Sequence, residues 1–157
     1  MQHEILKGAL IMKDEDTLRL AIGPGDRNIY KDLRETGMPL AGMDNSRIFL
    51  LAMSIGFRHH ARLELKSRDQ FIQGSYLDAP QKSIIKAVAI FEEKDIKVLF
   101  DSKKVYTIAE EYAHGGIKIL EELCNSRGTF SKKLVSELLE EIKENEKEIL
   151  EEESISM

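Results

Sequence analysis

A nearly continuous run of apolar residues extends from Ile48 to Phe57, directly after the polar pair Asp44-Asn45. Aspartate and asparagine favour the N-cap of a helix, and a glycine such as Gly56 often ends one in the left-handed region. Because a helix that is apolar nearly all round is buried on several sides, the pattern predicts a buried central helix. Its basic C-terminal end is then expected at the protein surface.

Helical spacing of apolar residues predicts one helix before this segment and one after it. A short helix is expected over residues 28–36, with Asn28 as its cap. Asp78, followed by Pro80, predicts the start of a longer helix that ends near Lys94. The buried side of this longer helix is expected to hold Ile84, Ile85, Val88, Ala89 and Phe91.

The next predicted helix begins at Asp101 or Ser102 and carries one apolar stripe. The stripe consists of Val105, Ile108, Ala109, Tyr112, Gly116, Leu120 and Leu123. Gly115-Gly116 lies in the middle of this helix, where each glycine costs about 1 kcal/mol relative to alanine. Two adjacent glycines there predict either a kink or a close helix crossing.

A last helix is predicted after Ser131, with apolar residues at heptad spacing and Asn145 at one of the seam positions. We expect this helix to pack on the body of the protein and to fray after Leu150, with pairing to a second copy as the next choice. The predicted domains are a helical core over residues 1–130 and an acidic amphipathic helix with a frayed end over residues 131–157.

Two segments do not show a clear helical period. Residues 4–22 fit a short helix at their start, whereas Leu18, Leu20 and Ile22 alternate as a strand would. Residues 63–77 are irregular or extended and allow a hairpin. The predicted fold is therefore mainly α, a compact bundle of five to six helices with a small β-hairpin as an option near residues 63–77.

Composition restricts the class of protein. The chain has 157 residues, of which 42% are hydrophobic and 32% charged, and this fits one soluble domain. Its single cysteine, Cys124, excludes an internal disulfide and fits a reducing compartment. No apolar run approaches the roughly 18–20 residues of a membrane span, and the N-terminus lacks signal-peptide features. We therefore expect a cytoplasmic protein that makes no membrane contact.

The net charge of −5 is concentrated at one end of the chain. Residues 131–157 contain four lysines and nine glutamates, whereas residues 1–130 contain nineteen basic and nineteen acidic residues. An acidic helix is repelled by phosphates, so membrane or DNA contact by the last helix is not expected.

A basic cluster follows the central helix. Arg58, His59, His60, Arg62 and Arg68 are the candidate nucleic-acid-binding residues, since arginines position proteins on phosphates. The alternative is a solvated helix end, at which positive charge is favourable because of the helix dipole. The balanced charge of the remaining body favours this alternative.

Other reactive residues give weaker signals. Adjacent histidines point apart on a regular element, so His59-His60 does not predict a metal site. Glu64-Leu65-Lys66 resembles half of a nuclease metal site, for which Asp44 or Asp26 would have to supply a second carboxylate. Cys124 is expected to be a buried structural thiol. We predict no catalytic residue, cofactor or metal, and the sequence argues against an enzyme without excluding one.

Three fragments resemble a family of small uncharacterised proteins associated with Dnd gene clusters, the DNA phosphorothioation systems. The fragments are Arg47–Arg58, Lys104–Ala113 and Gly115-Gly116-Ile117, and the resemblance spans roughly residues 28–124. The resemblance implies a genomic context of DNA modification or defence, and it supplies no catalytic residues.

Together these observations predict an accessory or interaction protein in a prokaryotic DNA-modification context. It is expected to act by protein–protein contact, either as a homodimer or with another protein. The alternative is a nucleic-acid-binding module that uses the basic end of the central helix.

Overall fold

The computed structural model describes residues 16–126 and 130–156, and within them it confirms a mainly α fold with a small sheet. Residues 4–15 of the ambiguous first segment lie outside this description. The helices are α1 (Asp26–Leu33), α2 (Asn45–Arg58), α3 (Ala79–Glu93), α4 (Ser102–Asn125) and α5 (Phe130–Ile155). The strands are β1 (Arg19–Ile22) and β2 (Asp69–Gln73), and short 3-10 helices occupy Gly74–Tyr76 and Ile96–Phe100.

The small β element expected near residues 63–77 is confirmed as β2, which pairs antiparallel with β1. Arg19 lies opposite Gln73 and Ile22 lies opposite Asp69, so the two strands are joined across a long intervening segment rather than by a tight turn. Leu20 and Ala21 are both buried, and burial on both faces explains why the alternation in this strand was a weak signal.

Helix α2 is the buried central helix that the sequence predicts. Ile48, Phe49, Ala52 and Met53 are fully buried, which is the burial expected of a helix that is apolar nearly all round. The predicted end at Gly56 was wrong, because the helix continues to Arg58. The left-handed residue is His60, with φ of 52°.

Gly56 instead allows the backbones of α2 and α4 to pack in direct contact. A Cβ atom on Gly56 would lie 2.0 Å from the carbonyl oxygen of Tyr112, and one on Gly116 would lie 1.8 Å from that of Ala52. A Cβ on Gly115 would lie 1.5 Å from the carbonyl oxygen of Ala61, just after α2. Of the two predictions for Gly115-Gly116, the close crossing is therefore the correct one.

Helix α3 begins as predicted and buries a different side. Asp78 and Gln81 form a capping box, and Lys94 ends the helix with φ of 54°. Ile85, Val88 and Ala89 are buried, but Ile84 is 46% and Phe91 67% exposed. The prediction that Ile84 and Phe91 are buried was wrong, because the buried stripe is centred on Ile85 and Ala89.

Two other helices refine the sequence predictions. Helix α1 starts two residues before the expected cap Asn28 and ends at Leu33, and the turns that follow include Gly37 with φ of 90°. Every member of the apolar stripe predicted for α4 is buried. Cys124, near the end of α4, is buried as expected, and burial raises the pKa of its thiol to about 11.

The chain divides into two compact units, one ending at Glu121 and one beginning at Glu122. Within the second unit, none of the described residues of α5 is buried. Its apolar side chains are 42% to 84% exposed at seven positions: Val135, Leu138, Leu139, Ile142, Ile149, Leu150 and Ile155. Among the described residues, no helix combines the length and the hydropathy needed to cross a membrane.

Candidate functional site

Arg62, one of the predicted site residues, lies in the segment after α2 and joins two helices. Its Nη1 is 2.7 Å from Oε1 of Glu92 on α3, and its Nε is 2.5 Å from Oε2 of Glu111 on α4. The guanidinium carbon lies 6.0 Å from the centre of the Tyr112 ring. Two carboxylates hold this arginine, so its charge is already largely neutralised within the protein.

Tyr112 completes this group of side chains. Its hydroxyl donates a hydrogen bond to Glu92, and this bond, together with Arg62, holds the pKa of Glu92 below its ordinary value. Burial and the same hydrogen bond raise the pKa of Tyr112 to about 12. Each polar group therefore has a partner, which is typical of a group of side chains that fixes α3 and α4 to the segment between α2 and β2.

The remaining residues of the predicted patch are divided between two places. Arg58 is half-buried at the end of α2, whereas His59 and His60 are exposed and His60 lies close enough to lower the pKa of Glu92. Arg68 is elsewhere, with its Nη2 2.8 Å from Oε1 of Glu110 on α4. The structure therefore does not bring Arg68 together with the basic end of α2.

Arg68 lies above a carboxyl group that is buried in the core. The Glu110 side chain is fully buried, and this burial raises its pKa to about 7, although Arg68 and the backbone of Ala21 oppose the shift. Its second oxygen, Oε2, has no hydrogen-bond partner. A carboxylate in this position holds Arg68 by one nitrogen and leaves the other guanidinium donors for the surface.

Arg68 also lines an open cleft of about 480 Å³ between β1, β2 and the start of α4. We call it the cationic cleft, and its lining residues are Thr17, Leu18, Arg19, Arg68, Gln70, Lys103, Tyr106 and Thr107. Within residues 16–126 and 130–156, the three charged members of the lining are all cations, and no carboxylate lines the cleft. Hydroxyl groups and cations at one surface are suited to bind an anion.

A second cleft of about 390 Å³ contains a contact between a histidine and an aspartate. Nδ1 of His114 lies 2.5 Å from Oδ2 of Asp26, which is buried at the first turn of α1. A Cβ on Gly23 would lie 2.8 Å from the histidine ring, so this glycine makes room for the contact. Lys66 and Lys118 also line this opening, which we call the histidine cleft.

In the histidine cleft the carboxylate fixes the orientation of the imidazole and leaves its second nitrogen to meet a ligand. Glu64 and Lys66 of the predicted half-site line the same cleft as Asp26, whereas Asp44 lines a different one. Nevertheless, no group of three or more His, Cys, Asp or Glu within residues 16–126 and 130–156 could hold a metal ion.

Local sequence patterns did not predict that Arg19 and Lys103 line the same cleft as Arg68, or that Asp26 contacts His114. Arg19 and Lys103 belong to other elements than Arg68, and Asp26 is 88 residues from His114. The local signal for the contact between Asp26 and His114 was that each of these residues lies beside two glycines. Asp26 follows Gly23-Pro24-Gly25, and His114 precedes Gly115-Gly116.

A family model described as DNA sulphur modification system-associated protein 4 matches residues 27–156. The match covers α1 through α5 and β2, so it extends beyond residue 124, where the resemblance in the sequence fragments ends. No curated protein and no solved structure matches this chain.

Proposed function

Because this chain belongs to the family described as DNA sulphur modification system-associated protein 4, we propose that it is an accessory protein of a DNA-modification system. It acts by protein–protein contact rather than by catalysis. The contact surface is α5, and the partner on that surface is a second copy of the chain.

The observation that carries this proposal is the exposed apolar row of α5. Val135, Leu138, Leu139, Ile142 and Ile149 lie on one side of the helix at a period of 3.6 residues, and each is 42% to 55% exposed. In proteins an amphipathic helix such as α5 takes most of its stability from packing its apolar side. A partner that covers this row would supply that packing.

The charges of α5 favour a second copy in antiparallel orientation. Residues 130–143 contain three lysines and three glutamates, whereas residues 144–156 contain one lysine and six glutamates. Parallel pairing would place the two acidic halves side by side, where like charges repel. Antiparallel pairing places each acidic half beside a neutral half and brings Lys132 and Lys133 near Glu151 and Glu152.

Light scattering coupled to gel filtration of the full-length protein tests the proposal. We expect a dimer in the micromolar range and a monomer after Ile142→Glu, which introduces a charge into the apolar row. Ser136→Glu is the matched control, because it adds the same charge away from the row and should leave the dimer intact. A wild-type monomer throughout this range, or equal effects of the two variants, would refute the proposal.

Charge reversal separates the two orientations. In an antiparallel pair, Lys132→Glu with Lys133→Glu should weaken the dimer, and adding Glu151→Lys with Glu152→Lys should restore it. In a parallel pair, Lys132 and Lys133 lie beside Lys132 and Lys133 of the second copy. Changing both lysines to glutamate would then replace repulsion between lysines by repulsion between glutamates. Failure of the second pair of changes to restore a weakened dimer would exclude the antiparallel arrangement.

A further inference from the structure

The cationic cleft contains more positive charge than the protein needs for its own ion pairs. Among the residues that the structure describes, neither Arg19 nor Lys103 forms an ion pair through its side chain, and both are exposed. Arg68 uses one nitrogen for Glu110 and is 43% exposed. These three cations converge on one opening although the chain as a whole is acidic.

Among the described residues, two carboxylates line the two clefts, and one of them is buried. Asp26 and Glu110 are both buried, and each contacts a basic side chain of one lining, His114 and Arg68 respectively. Of the carboxylates that the structure describes in the linings of these two clefts, Glu64 is the exposed one. The accessible charges of the two linings are therefore mostly positive.

The two clefts are related along the chain, because the same three chain segments contribute residues to both linings. Residues 17–19 line the cationic cleft and residues 23–26 the histidine cleft, and Lys66 and Ser67 of the second lining directly precede Arg68 of the first. On α4, Lys103, Thr107, His114 and Lys118 lie on one side of the helix, because their spacings are close to multiples of 3.6 residues.

The cations are therefore spread along a line and do not cluster at one point. Fifteen residues separate Lys103 from Lys118, and at about 1.5 Å per residue they span about 22 Å along α4. Because a nucleic-acid strand carries a phosphate at every nucleotide, DNA can contact several cations that are spread along this line. A single small anion would contact only one end of it.

We propose that the cationic cleft and the histidine cleft together form a binding surface for the sugar–phosphate backbone of DNA. Arg19, Arg68 and Lys103 bind phosphates at one end of the surface, and Lys66 and Lys118 bind them at the other. Contacts of these side chains with phosphates fix the position of the DNA and carry no sequence information. The surface excludes α5, so this proposal is independent of the self-association proposed above.

This surface differs from the basic end of α2, where Arg62 is neutralised by Glu92 and Glu111. Fluorescence anisotropy of a labelled 20-base-pair duplex, titrated with full-length protein at several chloride concentrations, distinguishes the two. Arg19→Ala with Lys103→Ala should weaken binding at least tenfold at low salt. It should also reduce the slope of log affinity against log salt by about 2, since each phosphate contact contributes about 0.9.

Two matched controls complete this experiment. Lys31→Ala with Lys97→Ala removes the same charge from exposed positions outside both clefts, and should change the affinity less than twofold. Arg58→Ala with His59→Ala tests the end of α2 and should likewise have a small effect. No binding by the wild type at low salt, or an equal loss in either control, would overturn the proposal.

A competition experiment separates a polymer from a single anion. At constant ionic strength, inorganic phosphate should displace the duplex no better than chloride, because the surface needs several linked phosphates. Displacement by low millimolar phosphate would show a site for a single anion and would contradict the proposed backbone surface. Circular dichroism of each variant confirms that lost binding does not reflect lost folding.

Discussion

The close contact between α2 and α4 predicts that alanine at position 116 destabilises the protein, although helix propensity alone predicts the opposite. Replacing a glycine by alanine inside a helix normally increases stability by about 1 kcal/mol. At Gly116, however, the new Cβ would lie 1.8 Å from the carbonyl oxygen of Ala52 and 2.7 Å from the amide nitrogen of Gly56. Real Cβ atoms essentially never come within 3.0 Å of such atoms, so the two helices would have to move apart by more than about 1 Å.

Moving the two helices apart lowers the free energy of unfolding. Added volume in a well-packed core costs about 1–3 kcal/mol, and more where only backbone atoms could yield. The contact atoms here belong to the backbone, so the upper end of this range applies; after the propensity gain is subtracted, we expect Gly116→Ala to lower the free energy of unfolding by about 2 kcal/mol or more. For a chain of this length a loss of about 2 kcal/mol lowers the Tm by about 4–8 °C.

Urea titration followed by circular dichroism, together with a thermal scan, measures both quantities. Gly25→Ala is the matched control, because its Cβ would meet nothing within 4 Å and its φ is −74°. Gly25 is the N-cap of α1, where alanine is less favourable than glycine, so that control should lower the free energy of unfolding by about 1 kcal/mol or less. A Gly116→Ala protein as stable as the wild type, or more stable, would refute the proposed backbone contact.

Three further predictions concern single side chains. Burial raises the pKa of Glu110 from 4.5 to about 7, so its contribution to stability is fully present below pH 4.5 and is lost as the pH rises through 7. Glu110→Gln should flatten that part of the urea-measured pH profile, and an unchanged profile would contradict the shift. Tyr112→Phe removes the hydrogen bond to Glu92 and should cost about 1–3 kcal/mol in the same titration, whereas a neutral effect would show that the bond contributes nothing. Burial raises the pKa of Cys124 to about 11, so iodoacetamide at pH 8 should alkylate the folded protein far more slowly than the urea-unfolded one, and equal rates would refute the burial.

The sequence predicted those elements whose signals are local. Asp78 and Gln81 lie three residues apart and cap α3 without help from other segments. The buried stripe of α4 and the continuous burial of α2 follow from the spacing of apolar residues within each helix. In contrast, the end of α2 was misplaced because Gly56 serves a neighbour that is 60 residues away at Gly116, and no local pattern records that contact.

The candidate site depended almost entirely on such distant contacts. Arg58 to Arg68 are neighbours in sequence, but Arg62 finds its partners 30 and 49 residues away and Arg68 finds its partner 42 residues away. These partners turn the two arginines to different sides of α4. Charge counted along the chain therefore predicted one basic patch, whereas the fold neutralises Arg62 and moves Arg68 to the cationic cleft.

The glycine contact between α2 and α4 also has a mechanical consequence. Side chains between two helices can change rotamer and let the helices slide, but a contact made by backbone atoms has no such freedom. The two helices should therefore move as one rigid body, and their central amide hydrogens should exchange with solvent last in the molecule. Since Lys103 and Lys118 both lie on α4, the spacing of these two cations is set by a stiff helix, and a ligand would bind them without first ordering a loop.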